Sequence, residues 1–318
     1  MQNVIFCNIM RNKTKLMISI ITAIYRSDRY LPDYSRRLLH FVKEMRKRNI
    51  PFEMIFVPQL ATPMEKKILS EIASESWCKI IESDTPSLYR AWNDGVAAAK
   101  GDIIGFWNAD DIRYVDGLIE GIDLIEKGSE LVYFPFRIRR YLKIFELFDL
   151  LVHIQKIDKQ VPEFNETTYK DFTRSMYCGP FFIFKKSLYE KVGPFDEQFK
   201  IVGDFDWCVR AAKITKKFAR AKKLIGSFRV DGRGLSAGGR PRHTAENNVV
   251  YIRHQAQDKI TPVSPELIKE YDPRKIFFHG SAFGVDDNGL IIKESLVNSA
   301  QTTSENFTQE NGKNVFPG

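Results

Sequence analysis

A repeating rhythm over residues 17–136 constrains the fold more than any other feature of the chain. β-Branched and apolar runs alternate there with segments of helical periodicity. Residues 17–25, MISIITAIY, read as a strand buried on both faces, as in a parallel sheet. Residues 34–48 follow, with Leu38, Phe41, Val42 and Met45 at helical spacing. Phe52–Val57 is a second strand closed by Pro58. Thr62 and Pro63 open a helix carrying Ile68, Leu69 and Ile72, and Cys78–Ile81 is a short third strand. Leu88, Ala91, Trp92, Gly95, Val96 and Ala99 share one helical face, and Gly101 ends that helix. Residues 102–107 then form a strand running into Asn108-Ala109-Asp110-Asp111. A helix over Val115–Glu126 and a strand over 131–136 complete the series. Strands alternating with helices predict an α/β sheet with crossover helices.

Past residue 136 the rhythm breaks. Residues 141–154 are apolar nearly all round and predict a buried or subunit-facing helix, with a membrane-surface helix as the other reading. Residues 155–175 read as a polar loop, 176–184 as a strand and 187–192 as a short helix ended by Gly193-Pro194. Residues 204–216 and 244–258 read as helices and 224–230 as a strand. Beyond Asn298 the polar composition predicts a flexible tail.

Composition narrows the function classes. Lys and Arg number 48 against 40 Asp and Glu, a net charge of +8, with pI ≈ 9.1. That balance suits nucleotide phosphates, nucleic acid or lipid headgroups. No Arg/Gly/aromatic ribonucleoprotein motif or zinc spacing supports a nucleic-acid partner. No stretch reaches the ~18 apolar residues of a spanning helix. The cysteines, Cys7, Cys78, Cys178 and Cys208, form no CxxC pair, and the first residues lack a signal-peptide pattern. The expected location is therefore cytoplasmic, with peripheral membrane contact as an addition.

Three constellations carry chemistry. Asp110 and Asp111 follow a strand, where open α/β sheets bind ligands; they suit a hard divalent cation or, as the alternative, a helix cap. Asp204 and Asp206 open a helix, as caps or with Asp204 as a general base. Residues 228–243 form a Gly-rich segment with Arg229, Arg233, Arg240, Arg242 and His243, suited to phosphate oxygens or to solvent.

Taken in order, these segments resemble the family-2 inverting glycosyltransferases of GT-A fold. The opening strand ISIITAIYRS resembles the family's first strand and nucleotide-contacting turn. D84-TPSLYRAWNDGVAAAKGDIIGFWNADD resembles its Asn-x-Gly helix, Ala-x-Gly-Asp and Asp-x-Asp-type metal motif. GPFFIFKKSLYEKVGPFDEQF resembles its acceptor-side segment, GDFDWCVRAA its Glu-Asp-x-Asp segment, and RVDGRGLS its Arg-to-Ser loop. The resemblance spans residues 17 to 255 and implies a Rossmann-like, mostly parallel sheet flanked by helices. Residues 17–136 would be the nucleotide-sugar half, 137–258 the acceptor and catalytic-base half, 1–16 and 259–297 extensions, and 298–318 a tail.

It also implies roles. Asp204 is the base. Asp110 and Asp111 hold Mn2+ or Mg2+. Thr22, Ala23, Tyr25, Gln59, Arg90, Asn93, Asn108, Asp110, Arg233 and Arg240 face the donor, and Gly179, Pro180, Asp206 and Trp207 the acceptor. The implied reaction moves a sugar, with inversion, from a nucleotide sugar (a UDP-sugar foremost) to a hydroxyl of a glycan or glycolipid, in polysaccharide or glycolipid biosynthesis. A homodimer is compatible with the subunit-facing reading of 141–154. The chain departs from the family pattern by lacking an acid after the second strand, by Asn108 at the first metal-motif position, and by Arg90 where relatives carry an acid. The missing acid suits the other reading, a catalytically inactive GT-A-like module that binds a sugar nucleotide or glycan, while the retained Asp110, Asp111 and Asp204 oppose it. A nucleotidyltransferase would carry a Gly-rich loop after its first strand, and AIYRSDRYLP has no glycine.

Overall fold

The computed structural model describes residues 15–144, 148–158, 170–235 and 240–292. The expected extension 1–16 lies almost wholly outside the described residues, and the expected tail 298–318 entirely so. Alternating elements appear as the rhythm predicts: β1 (Ile18–Ile24), α1 (Leu31–Lys47), β2 (Phe52–Pro58), α2 (Pro63–Ile72), β3 (Cys78–Ile80), α3 (Leu88–Ala98), β4 (Ile103–Phe106), β5 (Ile112–Arg113), α4 (Val115–Glu126) and β6 (Leu131–Tyr133). Then come β7 (Phe136–Ile144), β8 (Phe148–Ile157), β9 (Phe182–Lys185), α5 (Lys186–Val192), α6 (Gly203–Ile214), β10 (Phe218–Arg220) and β11 (Gly226–Val230). The described residues close with α7 (Arg240–Arg253), the short α8 (Pro265–Ile268) and the hairpin β12 (Lys275–Phe278) and β13 (Ser281–Gly284).

The main sheet runs β10-β6-β9-β4-β1-β2-β3. β1 pairs in parallel with β2 and β4, and β2 with β3. Only β9 is antiparallel, inserted between β4 and β6. The sheet is thus mostly parallel, buried on both faces, with its parallel carboxyl ends gathered on one edge. Gly95 sets the height of α3 above β1, since a Cβ there would stand 2.5 Å from Ile21. Beneath the edge lies an aromatic core in which Trp92 stacks on Phe106 at 3.8 Å and Trp207 packs 4.5 Å from Phe184.

A second sheet, β5-β11-β7-β8, leans on this edge. It corrects the helix expected over residues 141–154. β7 and β8 instead form an antiparallel hairpin with a bulge between Arg140 and Tyr141. An all-round apolar pattern fits an edge strand with side chains on both faces as well as it fits a buried helix, and residues 141–154 are rich in aromatic and bulky aliphatic types.

Candidate active site

Two turns define the cleft at the carboxyl edge. After β4 the chain turns through Asn108 and Asp110. After β3 it reaches Ser87, which caps α3 by accepting from the Arg90 N–H. Tyr89, on the first turn of α3, donates its hydroxyl to the Ile201 carbonyl at 2.8 Å and to Asp204 Oδ1 at 3.3 Å. The start of α6 is thereby pinned to the edge that carries Asp110.

Asp204 is half-buried at the first turn of α6 and also accepts from the Phe205 N–H at 2.8 Å. Burial raises its pKa from 3.8 to about 6, against the pull of those hydrogen bonds. Gly203 makes the pinning possible, because a Cβ there would sit 2.7 Å from the Tyr89 ring. The loop before α6 is tied from behind by Glu246 of α7. This buried carboxylate accepts from the N–H groups of Lys200, Ile201 and Val202 at 3.0, 2.8 and 3.1 Å. No sequence motif marked Glu246, which is buried on α7 beside Ala245, Val249 and Val250.

Asp206 points the other way. It is fully buried and pairs with Arg210 at 2.9 Å, Arg253 at 2.8 Å and His254 at 3.1 Å. Burial opposes its ionisation, but Arg253 and Arg210 outweigh burial and hold the carboxyl well below the usual range. The structure places Asp206 in a buried ion cluster, with no surface of its own exposed to an acceptor. Trp207 is likewise in the core, its indole N–H donating to the Gly193 carbonyl. Gly179 is buried against Phe136 with φ +64, and Pro180 is half-buried beside it.

The metal motif divides in the same manner. Asp110 is half-buried, and among the described residues no other side chain hydrogen-bonds its carboxylate. Burial and the nearby Asp231 raise its pKa, while Arg229 and Arg139 lower it. Asp111 is fully buried behind it. Its Oδ1 accepts from the Arg229 N–H at 3.0 Å, and its Oδ2 has no partner. Burial and Asp110 push its carboxyl well up. Two arginines missed in the sequence brace this loop, Arg37 donating to the Ala109 carbonyl at 3.3 Å and Arg139 to the Asp110 carbonyl at 3.2 Å. The Asp110 carboxylate, half-buried and without a side-chain hydrogen-bond partner among the described residues, has the chemistry to hold one hard cation. No group of three or more His, Cys, Asp or Glu suited to a metal occurs among the described residues.

The expected donor residues separate too. Tyr25 is exposed at the end of β1, and Ala23 is half-buried. Thr22 is buried and bonded to the Tyr34 hydroxyl at 2.8 Å. Gln59 is buried and donates to the carbonyls of Thr85 and Ser87, so it shapes the turn before α3. Asn93 is buried and ties α3 to the backbone of Phe195. Arg90 pairs with Asp94 at 3.2 Å and with Glu197 at 3.7 Å. Arg233 pairs with Asp149 at 3.0 Å, and Arg240 opens α7 with its side chain outside the described residues. A groove of about 1090 Å³ opens where β2 and β3 end, lined by Pro58, Leu60, Ser83, Asp84 and Arg90 among others. It includes neither Asp110 nor Asp204.

The pattern of glycosyl transferase family 2 matches residues 19–193, more than half of the chain. The chain is a family-2 glycosyltransferase. No curated protein matches it by sequence. Among solved structures, S. aureus TarS 1-349 in complex with UDP-GlcNAc is 17% identical with a TM-score of 0.54, covering 74% of this chain and 66% of that one. The same fragment in complex with UDP is 16% identical, with a TM-score of 0.52 and coverages of 74% and 64%. The mannosyltransferase PcManGT from Pyrobaculum calidifontis, in complex with GDP-Man and Mn2+, is 14% identical, with a TM-score of 0.53 and coverages of 81% and 69%. The match thus spans just under two thirds of the TarS fragment. These likenesses place the glycosyltransferase in the GT-A fold.

Proposed function

We propose that this glycosyltransferase moves a sugar from a nucleoside-diphosphate donor to a hydroxyl acceptor in one inverting displacement, with Asp204 as base and Asp110 holding a divalent cation. The observation that carries this reading is Asp204: a half-buried carboxylate at the sheet's carboxyl edge with its pKa raised to about 6. Such a group is ionised at neutral pH yet more basic than an ordinary carboxylate, which suits it to accept a hydroxyl proton as that oxygen attacks the anomeric carbon. Tyr89 and the Phe205 N–H fix its orientation. A single displacement inverts the anomeric centre and needs no covalent nucleophile.

The donor's nucleotide end is assigned to the edge after β1 and β2, with Tyr25 exposed for a base and the groove past Pro58 beside it. Arg233 and Arg229 face the diphosphate side. Mn2+ or Mg2+, held by Asp110 and the Asn108 oxygen, would neutralise charge on the departing nucleotide. Asp111 acts from behind, orienting the turn through the Arg229 N–H. UDP and GDP donors are both represented among the related structures, and UDP is the donor proposed here. The acceptor is a glycan or glycolipid hydroxyl.

Thermal unfolding with a panel of UDP- and GDP-sugars, with and without Mn2+, tests the binding half of the proposal, since a ligand of the folded form raises the midpoint. A metal-dependent rise is expected with one donor class and is expected to vanish in Asp110→Ala, which should still fold. A rise that persists in Asp110→Ala would contradict the metal assignment. Transfer with retention of anomeric configuration would contradict the displacement.

A further inference from the structure

The β7–β8 hairpin carries the densest set of exposed large apolar side chains among the described residues. Leu142 is 57% exposed, Leu150 51%, Val152 54% and Ile154 51%, with Ile144 and Leu151 also exposed. A single exposed leucine means little, but a contiguous apolar patch marks a surface that meets something. The hairpin register sorts it into two faces. Tyr141 stands opposite Leu151 and Lys143 opposite Asp149. Tyr141 packs under Arg229 at 3.9 Å and Asp149 pairs with Arg233 at 3.0 Å, so that face is turned to the cleft. Leu142 stands opposite Leu150, and Arg140 opposite His153, on the other face.

We infer that this outer face of the hairpin docks on an anionic lipid surface. Charge selects that occupant. Exposed Arg140, opposite His153, stands on this face beside the apolar side chains, and neither forms an ion pair among the described residues. Among the described residues, the acids on and beside the hairpin, Asp149 and Asp158, are already paired, with Arg233 and with Arg220. A second copy seated symmetrically here would bring the same cations together, whereas anionic headgroups complement them and the apolar side chains enter the boundary below. No described helix is long and apolar enough to cross a membrane, so the contact is peripheral. One consequence, that the bilayer presents the acceptor beside the cleft, rests on the proposed sugar transfer; vesicle binding does not, and the two fail separately.

The test is co-flotation of the full chain with phosphatidylcholine vesicles, with or without 30% phosphatidylglycerol (~0.3 mole fraction, chosen to give a negative surface). Binding is expected only to the anionic vesicles and is expected to weaken at ~1 M salt, where charge is screened within ~3 Å. The triple variant Leu142→Ser, Leu150→Ser, Val152→Ser should bind at least about tenfold more weakly, and Arg140→Ser about fivefold more weakly, the contribution of one cation. All these side chains are exposed, so both variants should unfold as the parent does, which circular dichroism checks. Equal flotation of parent and triple variant would overturn the proposal. So would absence of binding to anionic vesicles, or a concentration-dependent dimer of the parent that the triple variant abolishes.

Discussion

Asp204 and Asp206 lie two positions apart on α6, and their surroundings drive their chemistry in opposite directions. Two helical positions separate side chains by more than a right angle, so one meets the cleft and the other the interior. The charged form of Asp204 is disfavoured by burial, with a folded pKa of about 6 against 3.8. Between those values the folded state binds the proton and the unfolded state releases it. The stability of the parent therefore falls as pH rises from about 4 to 6, by about 3 kcal/mol in all. Asp204→Asn keeps both hydrogen-bond acceptor contacts and escapes that loss. It should be more stable than the parent at pH 7 and equal to it near pH 3.5, as urea denaturation at the two values would report. An equal offset at both would mean that the carboxylate is not strained by burial. His254 has the reverse sign. Burial lowers its pKa from 6.5 to about 4, so its contribution is present above pH 6.5 and is lost as pH falls toward 4.

Among elements, α7 and the β7–β8 hairpin do most to shape the cleft, and neither role was legible in the sequence. Glu246 of α7 accepts three backbone N–H groups ahead of α6. Glu246→Ala would leave them without this partner, costing about 1–3 kcal/mol at the buried Val202 N–H and less at the two part-buried ones. It should cut transfer at least tenfold by releasing Asp204, with donor-induced stabilisation retained. Unchanged kcat would remove Glu246 from the positioning of the base. By contrast, α4 spans the Val115–Glu126 read from periodicity, and β1 and β2 each lie within a residue or two of the apolar runs that marked them. Those elements are specified by local pattern. Whether Asn93, Gln59 or Thr22 faces a ligand or the core depends on partners up to about a hundred residues away, such as Phe195 for Asn93, and spacing carries no trace of them. The motifs located the turns correctly; the direction of each side chain came only with the fold.

On the scale of the whole molecule, two sheets meet around one acid. Asp149 of β8 pairs with Arg29 beyond β1 at 2.8 Å, with Arg233 at 3.0 Å, and with Arg229 of β11. It is the clasp between the small sheet and the segment that follows β1. Burial works against its ionisation, but Arg233 and Arg29 lower its pKa on balance. Its contribution is therefore present above the ordinary carboxylate range and lost as pH falls below it. Asp149→Ala should destabilise the protein by about 1–3 kcal/mol, because three guanidinium groups lose a charge-assisted partner. It should also weaken donor-induced stabilisation; denaturation and thermal shift together would check both. The central claim is that the cleft so assembled uses Asp204 to accept the proton. Single-turnover transfer by Asp204→Asn at saturating donor and metal measures that most directly. Donor binding should be nearly that of the parent, and the rate should fall by about 10²–10⁴-fold. A rate within a few fold of the parent would contradict the assignment of Asp204 as base.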